Sequence, residues 1–341
     1  MVRRLWAVVA AFAALTVVRS AQVGIGLRDP HGAILLSRLA LSAGIFVVLV
    51  VIDGAWRTTS RRTLRRVSRT VRERWTGRRL AEASLVLLGY HVVYFCYHNL
   101  KSWDVFNQPR DRLLLSWDRW LFLGHSPAAL LHQILGVHLA AYVLLVVYES
   151  FSTLVSVSVV AAVVFADRLR DGAVFIASMV WVWILGVTSY YAIPSLGPFW
   201  SAPHTFSALP HTMVQDTQAR YLTQQADLLA HPHAAGSFAQ VSAFASLHVG
   251  VTCVIVLTAS YFGLRWTTRV MTVFLCGTIL ATIYLGWHFA VDDVAGLAIA
   301  WVSVRLGRVT VGAKRSSPSG PLVRLPAGGV SETPAHGDNH T

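Results

Sequence analysis

The chain has 341 residues, of which 55% are hydrophobic and 13% charged, and its mean hydropathy is +0.54. That balance excludes a soluble globular protein of this length, which needs far more polar surface. The formal charge of +13 would point to nucleic acid in a soluble protein, but here it clusters between apolar segments, as in a membrane protein that binds no nucleic acid.

Several apolar stretches reach the roughly 20 residues that carry a helix across a hydrocarbon core. They are continuous rather than alternating, so helices are predicted and not a β-barrel. The fold class is all-α, a polytopic membrane bundle of about eight spans. The first span begins at Leu5 to Val18; Arg19 and Gln22 make a poor cleavage site, so it reads as retained. Ile34 to Trp56 is the second span and Leu80 to Tyr97 the third. The apolar run from Ala128 to Ala166 is too long for one crossing, and divides into an interfacial helix and a fourth span from Leu139. Ala173 to Ala192, Val241 to Phe262, Val270 to Leu285 and Val291 to Val304 complete the set. Beyond Val311 the chain is rich in Pro, Gly and Ser, and a disordered tail is expected.

Charge orients this array. Ten arginines fall between Arg57 and Arg79, which places that segment in the cytoplasm. Counting outward, the N-terminus, Arg168 with Arg170, Arg265 with Arg269, and the C-terminal piece fall on the same side, which then holds 21 of the 29 Lys and Arg residues. Both termini are therefore expected to be cytoplasmic. Arginine outnumbers lysine 27 to 2, which suits a GC-rich bacterial genome and a plasma-membrane location. The basic segment is a topology signal first, with anionic lipid headgroups as a second role. Cys96, Cys253 and Cys276 fall in spans and read as small core residues, not a disulfide framework.

The residues able to do chemistry gather on the outer face. Ser246 and His248 stand at the outer end of the sixth span, and His288 with Asp292 at the outer turn between the seventh and eighth. His248 and His288 are 40 residues apart, one span in and one span back, so the imidazoles can meet. His288 and Asp292 have i, i+4 spacing and would share a helix face, with Asp293 turned about 100° away. Ser246 and His248 alone read more readily as hydrated or packed polar residues at a helix end, and His288 with Asp292 alone reads equally well either way; their convergence on one face singles them out. A neutral imidazole can attack phosphorus and hold the phosphoryl group covalently. A carboxylate on its other nitrogen fixes the tautomer, a second histidine moves the proton, and serine with backbone N–H groups binds phosphoryl oxygens. Such a site calls for no metal or cofactor.

Phe244-Ala-Ser-Leu-His-Val-Gly250 and Tyr284-Leu-Gly-Trp-His-Phe-Ala-Val-Asp-Asp-Val-Ala-Gly296 resemble the second and third motifs of the type 2 phosphatidic acid phosphatase superfamily. With His98-Asn-Leu100, Asp118 to Gly124 and Tyr190 to Pro198, they resemble its inositolphosphorylceramide synthase-like branch. The resemblance implies a six-helix catalytic core over residues 80–307, with outer loops 98–127 and 193–240. Residues 1–56 would add two accessory spans, 57–79 a basic cytoplasmic loop and 308–341 the tail. It also implies His288 as nucleophile, Asp292 as its partner, His248 as acid for the leaving group and Ser246 as a phosphate ligand. The substrate would be a phospholipid or other lipid phosphate in the bilayer.

Three departures stand out. The first motif, with its lysine and arginine, has no clear match around Thr188 to Pro198. Thr282 stands where an arginine is expected six residues before His288, and Ala245 where proline is common. The outer cations available for phosphate are Arg220, Arg119, Arg112 and Lys101, with Arg220 favoured because its loop leads into the sixth span. Two other classes compete. One is a non-catalytic descendant that binds lipid or a partner protein. The other is a haem or metal protein using His91, His98, His132 and His138, or the outer His204, His211, His231 and His233. Residues gathered at one face, not at midplane, argue against a transporter. Oligomeric state and headgroup are not legible.

Overall fold

A computed structural model describes residues 1–58 and 63–313. Arg61, Arg62 and the expected tail from 314 onward lie outside the described residues. Among the described residues every regular element is helical. In chain order these are α1 (Val2–Val23), α2 (Leu36–Arg57), α3 (Leu64–Arg74), α4 (Gly77–Trp103), α5 (Asp111–Leu121) and α6 (Pro127–Leu135). Next come α7 (Leu139–Val164), α8 (Leu169–Ala192), α9 (Pro198–Ser201), α10 (Met213–Ala230), α11 (Leu247–Tyr261), α12 (Arg265–Tyr284) and α13 (Ala290–Val311).

Seven of these, α1, α2, α4, α7, α8, α12 and α13, are long and apolar enough to cross a membrane. The sixth expected span, α11, is the exception, with only 15 residues, about 22 Å of helix. Its missing turns are the irregular stretch that precedes it, where Val241 was expected to open a helix. The backbone there is satisfied by the end of α8 instead: Ala243 N–H donates to the Ser195 carbonyl (2.9 Å) and Phe244 N–H to Ser195 Oγ (2.9 Å). Ala245 N–H donates to Ser189 Oγ (2.9 Å). Irregular backbone is tolerated at membrane depth when protein groups take up its hydrogen bonds. At the other limit, α13 runs on to Val311, past the expected end at Val304.

The bundle is graded from centre to edge. In its most apolar stretch α8 has 72% of its residues buried, whereas α1 and α2 have 17% and 11% and present most of their side chains outward. Helix α13 lies along α8 with Gly307 against Ser178, so close that a methyl group would collide with the α8 backbone. Trp181 Nε1 on α8 donates to Thr310 Oγ1 (2.9 Å) near the far end of the same contact. Small residues replace the hydrophobic effect as the means of close packing where the surroundings are already apolar.

One end of the bundle is rich in arginine. The segment expected as a basic loop contains the amphipathic helix α3, docked on α2 by the approach of Val71 to Gly54. Buried Asp53 accepts from Arg57 Nε (2.8 Å) and forms an ion pair with Arg74, whose Nε lies 2.8 Å away, and Asp167 reaches Arg57 at 2.8 Å. Arg74 and Arg79 also donate to the Val164 and Ala166 carbonyls, closing the C-terminus of α7. The opposite end carries α5, α6, α9 and α10, and beneath them the residues singled out above.

Candidate active site

The site is assembled from the N-termini of α11 and α13 and the turn that ends α12. Ser246 is the N-cap of α11 and accepts weakly from Val249 N–H (3.5 Å), while its own N–H donates to the Asp292 carbonyl on α13 (3.0 Å). Gly296 meets the Ser246 carbonyl so closely that any side chain would collide with it. These two contacts lock α11 to α13. The turn from α12 is fixed by Thr282, whose carbonyl accepts from Trp287 N–H (3.0 Å) and His288 N–H (3.2 Å).

The rings of His248 and His288 consequently lie 5.8 Å apart, centroid to centroid, at 61°. His288 Nδ1 stands 3.4 Å from Asp292 Oδ2, within ion-pair reach but long for a hydrogen bond. Asp292 Oδ2 also accepts from Phe289 N–H (2.9 Å), so the carboxylate is anchored at the start of α13. The His288 ring also interacts with the Ala243 backbone, in the irregular stretch before α11. Burial pulls the His288 imidazole down to about 4, against the opposing charge of Asp293, so the ring is neutral near pH 7.

Aromatic rings enclose the pair. Tyr148 stacks on His248 (4.5 Å) and on Trp287 (5.6 Å), Phe151 packs against His248 at 4.3 Å, and Phe199 and Tyr221 abut Trp287. Such walls exclude water and strengthen every charge interaction inside.

Asp293 departs from the expected arrangement. It is buried, accepts from Thr282 Oγ1 (3.0 Å), and interacts electrostatically with His288 and with Ser246. The helix-wheel argument excluded it, but His288 lies in the turn before α13 and not on the helix, so the wheel does not govern its neighbours. Thr282, in the place expected for arginine, supports this second carboxylate.

The candidate cations separate. Lys101, near the end of α4, acts electrostatically on both His248 and His288 and sits 5.7 Å from the Tyr190 ring. Arg119 and Arg112 are on the exposed face of α5. Arg220, favoured from its sequence position, is exposed on α10 and turns to Thr217, Tyr221 and Glu149. The reason is the amphipathic α10 itself, which directs Gln218 inward to the Leu285 carbonyl (3.0 Å) and Arg220 outward.

Sequence reasoning missed two buried carboxylates of α5. Asp118 accepts from Ala290 N–H and Val291 N–H, both at 3.0 Å, capping α13 from a different helix. Asp111 accepts from Leu196 N–H and Gly197 N–H (2.7 Å to the latter), holding the turn before α9. Burial pushes both carboxyls up, and these backbone donors pull them part of the way back. Their spacing of seven residues on one amphipathic face was the available signal.

The histidines of the haem and metal readings are dispersed. His91 Nε2 is 2.9 Å from Ser42 Oγ and its Nδ1 2.8 Å from the Leu87 carbonyl, while His132 Nε2 is 2.9 Å from the Tyr284 carbonyl. Among the described residues no three His, Cys, Asp or Glu side chains gather as a metal would require.

The molecule is thus an integral-membrane helical protein with two facing imidazoles near one end of the bundle. A family model described as the PAP2 superfamily matches residues 112–306, and the chain belongs to that superfamily, whose members are typically phosphatases or phosphotransferases. No curated protein and no solved structure matches the chain. The match runs from α5 into α13, so α1 to α4, including Lys101, precede it.

Proposed function

We propose that this chain is a membrane lipid phosphatase or phosphotransferase that works through a phosphohistidine. The observation that carries the reading is the facing pair His248 and His288, with Asp292 on the far nitrogen of His288. In the first step His288 Nε2 attacks phosphorus, the bond from phosphorus to the lipid oxygen breaks, and His248 delivers a proton to that oxygen. Asp292 stabilises the positive charge that develops on the His288 ring. In the second step His248 takes a proton from water or an acceptor hydroxyl, whose oxygen displaces His288 from phosphorus. Ser246 and Lys101 are assigned to the phosphoryl oxygens, with Arg119 and Arg220 at most on the approach. No metal is needed by these steps.

The inositolphosphorylceramide synthase-like segments favour transfer of a phosphoinositol-type group within that chemistry. The arginine-rich end is assigned to the cytoplasm and the site to the outer face of a bacterial plasma membrane, with residues 80–307 as the catalytic unit. The test supplies phosphatidic acid and phosphoinositides to purified wild type and His288→Ala, with products identified by mass spectrometry. Turnover should fall by at least about 10³-fold in the variant; equal turnover removes His288 from the mechanism. Thr282, in place of a clamp arginine, favours a second reading, a lipid-binding descendant without activity. Tight binding of the same lipids by wild type with no product would establish it.

A further inference from the structure

A cleft opens in the bundle wall between α2, α4, α7 and α8, outside the catalytic pair but sharing a wall with it. Phe151 forms that wall: its ring packs on His248 on one side and lines the cleft on the other. Inside are Arg38 and Ser42 from α2, His91 from α4, and Ser152 and Ser156 from α7. Ser156 is eight residues from the C-terminus of α7, about 12 Å along the axis, so the cleft lies within the span and not at its edge.

Arg38 is the unusual member. Among the described residues its side chain makes one hydrogen bond, a long one to Ser156 Oγ (3.5 Å), and no ion pair. A guanidinium carries five N–H donors, and Arg38, half-buried in the first turn of α2, leaves most of them without a protein partner among the described residues. Arg38 also acts electrostatically on His98, as does Lys101.

The position of the cleft defines what would fill it. In the proposed reaction His248 faces the departing lipid oxygen, and the cleft begins on that side, behind Phe151. The ester or amide carbonyls of a membrane lipid hang a few bonds below its phosphate, toward the bilayer centre. Ser152 and Ser156 stand one and five residues deeper along α7 than Phe151. We propose that this cleft binds the acyl-linkage carbonyls of the substrate lipid, with Arg38 as principal donor and Ser152 and Ser156 as secondary ones. The enzyme then selects acyl-linked lipids over ether-linked ones, a preference set by an accessory helix that precedes the matched family region. This rests on the proposed function for the orientation of the substrate, but not for the binding itself.

Dioleoyl phosphatidic acid and its di-ether analogue share a headgroup and differ only in these carbonyls. Wild type should show a KM about tenfold lower for the ester, and Arg38→Gln should erase that difference while leaving kcat within about twofold. Ser156→Ala, a milder change, should narrow the gap by about threefold and serves where Arg38→Gln does not fold. Equal KM values in wild type, or discrimination retained by both variants, overturns the proposal. Retention of the two lipids on detergent-solubilised protein, read by native mass spectrometry, needs no turnover. Preferential retention of the ester by wild type and His288→Ala supports the cleft even if catalysis fails, and equal retention of ester and ether overturns it.

Discussion

The two ends of the bundle use their carboxylates in opposite ways. At the arginine-rich end, Asp53 and Asp167 are consumed by Arg57 and Arg74, and the remaining arginine donors close the carbonyls of α7. At the other end, Asp111, Asp118 and Asp292 accept from backbone N–H groups. Lys101 is left there without a carboxylate ion pair among the described residues. Charge thus fastens one end by ion pairs, while at the other the carboxylates are turned to backbone donors. The difference follows from cost: a buried ion pair is tolerated when both partners are satisfied, but it neutralises any cation meant to bind substrate.

The contrast can be broken first at the arginine-rich end. Asp53→Ala would leave Arg57 and Arg74 facing a buried gap, with an expected loss of about 3–5 kcal/mol. Thermal unfolding in detergent measures it, and the variant that still folds should keep a near-normal kcat because the site is at the far end. A drop in kcat with unchanged stability would show that the ends are coupled.

A smaller effect is expected from Asp118→Ala, which strips two N–H groups at the start of α13 of their acceptor. The cost is about 1–3 kcal/mol of stability. Here kcat should fall as well, by about tenfold, because His288 is in the turn leading into that helix. Asp118→Asn, which keeps an acceptor, should recover most of the loss.

The smallest change is a displacement of the pH profile. Because burial holds the folded His288 at about 4 instead of the ordinary 6.5, the ring stays neutral as pH falls from 7. The acid limb of kcat/KM should accordingly appear near pH 4 and not between 6 and 7. An acid limb at 6.5 would mean that His288 is solvated in the working enzyme.

Much of the architecture was legible because hydropathy and arginine placement are long-range signals that survive uncertainty at any one residue. The meeting of His248 with His288 followed from simple counting along two spans. What escaped was local. Helix α3 was hidden within a run of arginines, and α11 came out short because Ser189 and Ser195 satisfy the backbone before it. The face that α10 turns inward, and with it the outward direction of Arg220, is not signalled by nearby residues, and Asp293 acts on His288 because that histidine stands in a turn and not on the helix. Asp111 and Asp118 act on amides far away in sequence, a relation no local pattern encodes.

The contact of Gly296 with the Ser246 carbonyl has a mechanical meaning. With no side chain between them, the start of α11, which carries His248, is set directly on the first turns of α13, so any side chain at position 296 would push the two helices apart.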